Sequence, residues 1–123
     1  YQPAERLAEG LATGDIHVVP LRAGLASASV PSKAYSAMAA GRPVIASVDL
    51  GSEVARMVAD AGAGLAVAPD DPDAFTAAVE HLAGDAETRT RMGAYGRAWV
   101  EKCRPAPAVA GVYLDLIERL VDA

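Results

Sequence analysis

Residues 30–47 read Val-Pro-Ser-Lys-Ala-Tyr-Ser-Ala-Met-Ala-Ala-Gly-Arg-Pro-Val-Ile-Ala-Ser, and this stretch decides the fold. Its first part is rich in alanine, a strong helix former, and predicts a helix that begins at or just before Ser32. Gly41 closes that helix. Residues 43–47 are a short, apolar run of the kind that forms a buried strand. The stretch therefore predicts a helix that leads directly into a strand.

The same alternation continues on both sides of this stretch. Residues 16–20 and 65–68 are two further apolar runs that predict strands. Helices are expected at residues 4–13, 53–61, 85–102 and 106–121. A further helix is expected after the turn at residues 69–73, with Phe75, Ala78, Val79 and Leu82 on its inner face. Strands that alternate with helices predict a parallel sheet with right-handed crossovers. Since a doubly wound fold has about six strands, the predicted fold class is α/β: the second half of a doubly wound, Rossmann-like parallel sheet, with C-terminal helices.

The apolar spacing also predicts which helix faces are buried. The helix at residues 85–102 is expected to bury Met92, Tyr95 and Trp99. The last helix carries a continuous apolar stripe, made of Val109, Val112, Tyr113, Leu116, Ile117, Leu120 and Val121.

Composition excludes several classes of function. With 123 residues, the chain has the length of one domain. A net charge of −5 and scattered basic residues argue against a nucleic-acid partner. No apolar run approaches the roughly 20 residues of a membrane span, and no signal peptide is evident. The single Cys103 excludes an internal disulfide and fits a reducing, cytoplasmic compartment. Because the chain opens with Tyr-Gln-Pro and not with Met, we expect an excised fragment, a processed product or an incomplete read.

The loop after the first strand is the strongest candidate site, because ligands of open α/β sheets lie beyond the carboxyl ends of the strands. It runs over residues 21–33 and leads into a helix, whose N-terminal N–H groups attract anions. Lys33 lies in the first turn of that helix, where a cation is unfavourable unless an anion binds. Arg22 and the hydroxyls of Ser27, Ser29 and Ser32 would add to such an anion site. Alternatively, Ser32 is an ordinary N-cap and Lys33 is solvated.

The loop after the second strand, residues 48–52, is the next candidate. Gly51 allows a ligand to approach the backbone. Ser52 fits an N-cap, and Glu53 complements the helix dipole without any functional role. The third loop at this edge covers residues 69–73. No metal-ligand spacing, P-loop or dinucleotide fingerprint is present.

These residues bear a resemblance to a known family. The segment Asp15–Pro20 and residues 30–47 resemble retaining glycosyltransferases of the GT-B fold, family 4, and most of all the subgroup that makes capsular or colanic-acid-type surface polysaccharides. Residues 51–55, 61–72 and 92–100 are similar to the segments that follow in that family. The resemblance covers nearly the whole chain in the right order.

The resemblance implies a partial C-terminal domain, over residues 1–123, that binds a nucleotide-diphospho-sugar donor. It implies transfer of a sugar to an acceptor hydroxyl with retention of configuration, and no metal or other cofactor is expected. Arg22 and Lys33 would carry the chemistry at the diphosphate. The donor-binding residues would be Gly24, Ser32, Tyr35, Ser36, Gly51 and Glu53, with Tyr35 and Ser36 on the nucleoside side.

The expected partners follow from the same resemblance. The acceptor would be a sugar or a lipid-linked sugar, held by an N-terminal domain outside this chain, so the full-length protein would work at the inner membrane face. The chain alone is then expected to be inactive, and the edge of its first strand would favour self-association.

The sequence departs from the pattern of this family at two positions. Many members carry two glutamates eight positions apart, whereas the corresponding residues here are Ala28 and Ser36. The alternatives are a non-catalytic nucleotide-binding or interaction module, and a GT-B sugar-nucleotide epimerase. A receiver or flavodoxin-like domain is disfavoured, because the sequence has neither a first-strand acidic cluster nor a flavin loop.

Overall fold

The computed structural model describes residues 3–25, 31–103 and 106–121. A single 3-10 turn, Ala4–Arg6, opens it. The strands are β1 (His17–Pro20), β2 (Val44–Ser47) and β3 (Gly64–Val67). The helices are α1 (Leu7–Thr13), α2 (Ser32–Ala39), α3 (Glu53–Asp60), α4 (Pro72–Gly84), α5 (Ala86–Glu101) and α6 (Ala106–Val121). Each predicted strand is confirmed to within one residue at either end.

The three strands form one parallel sheet in the order β1-β2-β3. Val19 lies opposite Ala46, and Ala46 lies opposite Ala66, so these three residues line up across the sheet. The predicted α/β class with a parallel sheet is confirmed. β1 is an edge strand of this sheet, as expected from the sequence.

The core lies on both faces of the sheet, because β2 is buried on each side. On one face, Val44 and Ala46 pack in a cluster with side chains of α2 and α3. On the other face, Ile45 and Val67 pack against α4, mainly through Ala78 and the fully buried Leu82. This three-layer arrangement explains why β2 is apolar at successive positions instead of alternating.

Helix α5 approaches the rest of the fold through its glycines. A Cβ on Gly93 would lie 2.1 Å from the carbonyl oxygen of Gly41, and one on Gly96 would lie 3.0 Å from the Cβ of Ala63. The predicted burial of Tyr95 is wrong, since its exposed fraction is 54%. Met92 and Trp99 are only half-buried. The backbone of α5 comes so close that the glycines, and not the large side chains, occupy the centre of its inner face.

Helix α6 forms as predicted, but its apolar stripe faces outward. The exposed fractions of Tyr113, Ile117 and Leu120 are 64%, 53% and 70%. Gly111 is the one described residue of this helix that is half-buried. No described helix is both long enough and apolar enough to cross a membrane.

Side-chain caps fix where three of the helices begin. The hydroxyl of Ser52 accepts from Ala55 N–H at 3.2 Å at the start of α3, which confirms the predicted cap. Asp71 caps α4 and Asp85 caps α5, each accepting a backbone N–H at 2.9 Å. The Thr88 backbone N–H that donates to Asp85 lowers the pKa of that carboxyl, and the Thr88 hydroxyl adds to the effect.

Substituting Gly93→Ala should lower the stability of the fold, because the added methyl would overlap the Gly41 carbonyl. We expect a loss of about 1–3 kcal/mol in the free energy of unfolding, the usual cost of overpacking, measured by urea denaturation. Gly10→Ala is the matched control: a Cβ at Gly10, inside α1, meets no atom within 4 Å. That variant should gain about 0.5–1 kcal/mol. Equal stabilities of the two variants would contradict the close α5 contact.

Substituting Asp85→Ala should lower the thermal midpoint at neutral pH, because α5 loses its cap. The pKa of Asp85 is lower in the folded chain than in the unfolded one. Its carboxylate therefore stabilises the fold above the unfolded pKa, and this stabilisation is lost as pH falls through the folded pKa. The difference in midpoint between the variant and the wild type should shrink from pH 7 to pH 3 in a series of thermal melts. A difference that is constant with pH would contradict the ionic cap.

Candidate functional site

The loops that follow β1, β2 and β3 lie at one edge of the sheet, because the three strands run parallel. The hydrogen-bond ladder extends one residue beyond β1, where Leu21 N–H donates to the Ser47 carbonyl at 2.9 Å. Val48 N–H donates to the Val67 carbonyl at 3.0 Å in the same way. The loops that carry Arg22 and Asp49 therefore start side by side.

The loop after β1 begins with a four-residue turn. Leu25 N–H donates to the Arg22 carbonyl at 3.2 Å, and Gly24 occupies the third position of the turn with φ 80°. This φ is the value that a type II turn requires at its third position, where glycine is favoured. A Cβ at Gly24 would meet no atom within 4 Å, so the need for glycine there is conformational.

The loop after β2 is joined to this turn by a side chain that the sequence analysis did not select. The Gly24 N–H donates to Oδ2 of Asp49 at 2.9 Å. Asp49 is half-buried, and it follows β2 by two residues. Only the parallel pairing of β1 and β2 brings these residues together, since 25 positions separate them along the chain.

The alternative prediction that Ser32 is the N-cap of α2 is wrong. Pro31 holds the cap position and makes no side-chain cap bond, so Ser32 is the first helical residue and not the cap. Ser32 and Lys33 are exposed in the first turn, and Arg22 is exposed in the preceding turn. The N-terminal N–H groups of α2 thus receive no bond from their own cap side chain. Ser27, Ser29 and Ala28 lie outside the described residues.

Ser36 and Tyr35 occupy different surroundings, although they are neighbours in the chain. Ser36 is half-buried and donates to the Ser32 carbonyl at 3.2 Å. Tyr35 packs its ring against Trp99 of α5, with 6.2 Å between centroids and 43° between the ring planes. The structure therefore directs the Tyr35 ring toward α5.

Gly51 and Glu53 lie at the start of α3 and interact locally. The Gly51 carbonyl accepts from Nη1 of Arg56 at 3.2 Å, and Oε2 of Glu53 lies 4.0 Å from Nη2 of Arg56. Both are exposed. Gly51 and Glu53 therefore lie at the same edge of the sheet as Arg22 and Gly24, but their polar contacts are with Arg56.

Two grooves flank α2, and both include Ser36. One has a volume of about 260 Å³ and is lined by Leu7, Leu11, His17, Val18, Val19, Lys33 and Ser36. The other, of about 380 Å³, lies between α1 and α2 and includes Arg97. The first groove brings the Lys33 side chain next to an apolar surface along the edge of the sheet.

His17, the first residue of β1, lines the groove beside Lys33, whereas His81 lies outside it. Nε2 of His17 is 2.8 Å from the Leu11 carbonyl oxygen, so His17 helps to hold α1 against the start of β1. His81 is exposed on α4. Within the part of the chain that the structure describes, no three His, Cys, Asp or Glu residues are grouped so that they could hold a metal ion.

Comparisons with known proteins bear on the family of the chain. A family model described as "Glycosyl transferases group 1" matches residues 1–85. The chain is 37% identical over 73 residues to a protein of Pseudomonas aeruginosa named "Probable glycosyltransferase WbjE". That match covers 59% of this chain and 18% of the relative, so the chain spans about a fifth of the relative's length. No solved structure shows a significant match.

Substituting Tyr35→Ala should shift the fluorescence of Trp99 to longer wavelength, because Trp99 is the only tryptophan and loses an aromatic neighbour. Tyr35→Phe should leave the emission unchanged, since it keeps the ring. Tyr113→Ala, on the exposed face of α6, is the control and should also have no effect. An unchanged spectrum in Tyr35→Ala would show that the two rings are not packed together.

Proposed function

The chain belongs to the family of group 1 glycosyl transferases, and we propose that it holds the nucleotide-diphospho-sugar donor of an enzyme that transfers the sugar to an acceptor hydroxyl. One observation carries this proposal. The turn with Arg22 and the first turn of α2 with Lys33 follow β1, at the carboxyl edge of a parallel sheet. Ligands of open α/β sheets bind at that edge.

The electrostatics of α2 favour a diphosphate there. A helix N-terminus carries about half a positive charge, and Lys33 is repelled by it at a cost of up to about 1 kcal/mol. A bound diphosphate would interact favourably with the helix end, with Lys33 and with Arg22 at once. Ser32, exposed in the first turn, adds a hydroxyl donor.

The same groups suit the chemistry. When the bond between the sugar's anomeric carbon and the terminal phosphate oxygen breaks, the electron pair leaves with the diphosphate, and negative charge grows on its oxygens. Cationic side chains and backbone N–H groups placed beforehand stabilise that charge more in the transition state than in the ground state. Lys33 and Arg22 are the residues that we assign to this role.

The finer assignments are part of the same proposal. Gly24 and Ser32 contact the phosphates, Gly51 and Glu53 lie at the donor site beside α3, and Ser36 lies toward the nucleoside. Ser36 is better placed than Tyr35, because it opens to the groove beside Lys33, whereas the Tyr35 ring packs on Trp99. The transfer is of a hexosyl group with retention, as in GT-B enzymes of family 4 that build surface polysaccharides.

The whole enzyme includes more than this chain in our proposal. The acceptor, a sugar or a lipid-linked sugar, binds to an N-terminal domain, and the full-length protein works in the cytoplasm at the inner membrane face. We expect no turnover from these residues alone. The exposed edge of β1 favours self-association of the isolated chain.

The described residues argue against one of the two alternatives, the epimerase. An epimerase of this fold would need a catalytic histidine with carboxylates at the donor site. His17 lines the groove beside Lys33, but no described carboxylate lines that groove with it, and its Nε2 contacts the Leu11 carbonyl; His81 is exposed on α4. A non-catalytic nucleotide-binding module would show the same donor contacts, and transfer assays on the full-length protein would distinguish it from an enzyme.

Calorimetric titration with UDP, GDP and ADP tests the donor site. We expect saturable binding of one of the three to the chain. Lys33→Ala should weaken that binding at least about tenfold, because it removes a charged contact worth about 1.5–3 kcal/mol. Lys33→Arg, which keeps the charge, should retain part of the affinity.

Arg91→Ala is the control for the loss of one positive charge. Arg91 lies on α5, where it contacts Thr88 and Glu87 near the Asp85 cap. It should bind the nucleotide as the wild type does. If none of the three nucleotides binds, or if the Lys33 and Arg91 variants bind equally, the donor site proposed here is wrong.

A further inference from the structure

Asp49 makes the contact that links the two loops at the carboxyl edge of the sheet. Its Oδ2 accepts the Gly24 N–H at 2.9 Å. Its own backbone is held independently, since the Asp49 carbonyl accepts Ser52 N–H at 2.8 Å, next to the cap of α3. Asp49 is therefore a fixed acceptor just before α3, a helix with one buried face, and the turn after β1 is attached to it.

The turn after β1 has few other restraints among the described residues. Arg22, Ala23, Gly24 and Leu25 are all exposed. The β ladder ends at Leu21, and the turn's own bond from Leu25 to Arg22 does not join it to the rest of the fold. The positive φ of Gly24 is one that glycine adopts without cost but is not obliged to adopt. Among the described residues, the bond from the Gly24 N–H to Asp49 is thus the hydrogen bond that joins this turn to the loop after β2.

We propose that Asp49 is a positioning residue for donor binding: by holding the Gly24 N–H, it fixes the turn that presents Arg22 to the diphosphate. This inference rests on the function proposed above. When the turn is already ordered in the free protein, binding does not cost the conformational entropy of ordering it, so the affinity for the ligand is higher. Arg22 is then held near its binding geometry, as preorganised stabilisation of the leaving diphosphate requires.

The negative charge of Asp49 allows a positioning role to be distinguished from an electrostatic one by the direction in which substitutions change the nucleotide affinity. A carboxylate near a diphosphate repels it, so a role through charge alone would make every neutral substitution improve binding. A positioning role makes the substitutions diverge. Asn keeps a side-chain oxygen that can accept the Gly24 N–H, whereas Ala removes the acceptor.

The experiment is titration of the chain with UDP, GDP and ADP, comparing wild type, Asp49→Ala and Asp49→Asn. We expect Asp49→Ala to weaken binding about three- to tenfold, the effect of one lost hydrogen bond. Asp49→Asn should bind within about twofold of the wild type, or more tightly. Asp85→Ala is the matched control, because it also removes a carboxylate that accepts a backbone N–H at 2.9 Å, at the start of α5. It should bind as the wild type does at a temperature where circular dichroism shows it folded.

A ligand-free measurement accompanies the titration. Hydrogen exchange of the Gly24 amide, followed by NMR, should be faster in Asp49→Ala by about tenfold and should return toward the wild-type rate in Asp49→Asn. Exchange of amides in α3 should not change, which separates a local role from loss of folding.

Three outcomes would overturn the inference, and they are distinguishable. Asp49→Ala binding as tightly as the wild type, or more tightly, would leave the donor site intact and remove the positioning role. Unchanged Gly24 exchange in Asp49→Ala would show that the hydrogen bond does not order the turn. Failure of the wild type itself to bind any of the three nucleotides would overturn the donor site and this inference together.

Discussion

The backbone hydrogen bonds that β2 makes to β1 and to β3 set the positions of the other elements. Because both ladders are parallel, the chain must cross from the carboxyl edge to the amino edge after β1 and again after β2, and α2 and α3 make these crossings. Both faces of β2 are then covered, by α2 and α3 on one side and by α4 on the other. Because both faces of β2 are buried, its successive residues are apolar and do not alternate with polar ones.

The same pairing creates the candidate site. It places the loops after β1 and β2 side by side, so that Asp49 meets Gly24 across 25 positions of sequence. The site thus combines a rigid support with an exposed, cationic turn. The cap of α3 fixes the acceptor, while Arg22 and Lys33 remain accessible. Such a combination suits recognition of an anion that must be bound and then released, since few side chains have to be ordered on binding.

Packing of α5 shows where sequence periodicity misleads. Periodicity favours the large apolar residues as the inner face, which led to the wrong prediction that Tyr95 is buried. In the structure, the closest approach is between backbones, at Gly93 and Gly41. Glycine carries no apolar signal, so a pattern of side-chain hydropathy cannot identify a contact made by the main chain. The helix predicted from the apolar stripe of α6 is present, but the stripe is exposed in the structure. Whether an apolar helix face is buried depends on which elements pack against it.

The sequence by itself determined the order of the elements, the parallel α/β class and the Ser52 cap of α3, because these depend on local spacing and local hydrogen bonds. It also indicated Arg22, Gly24, Ser32 and Lys33 as one candidate loop, since they are close in the chain. Only the tertiary structure decided that Asp49 joins that loop and that Tyr35 packs on Trp99. Both contacts join residues far apart in sequence. Neither a spacing rule nor a residue's chemical type contains that information.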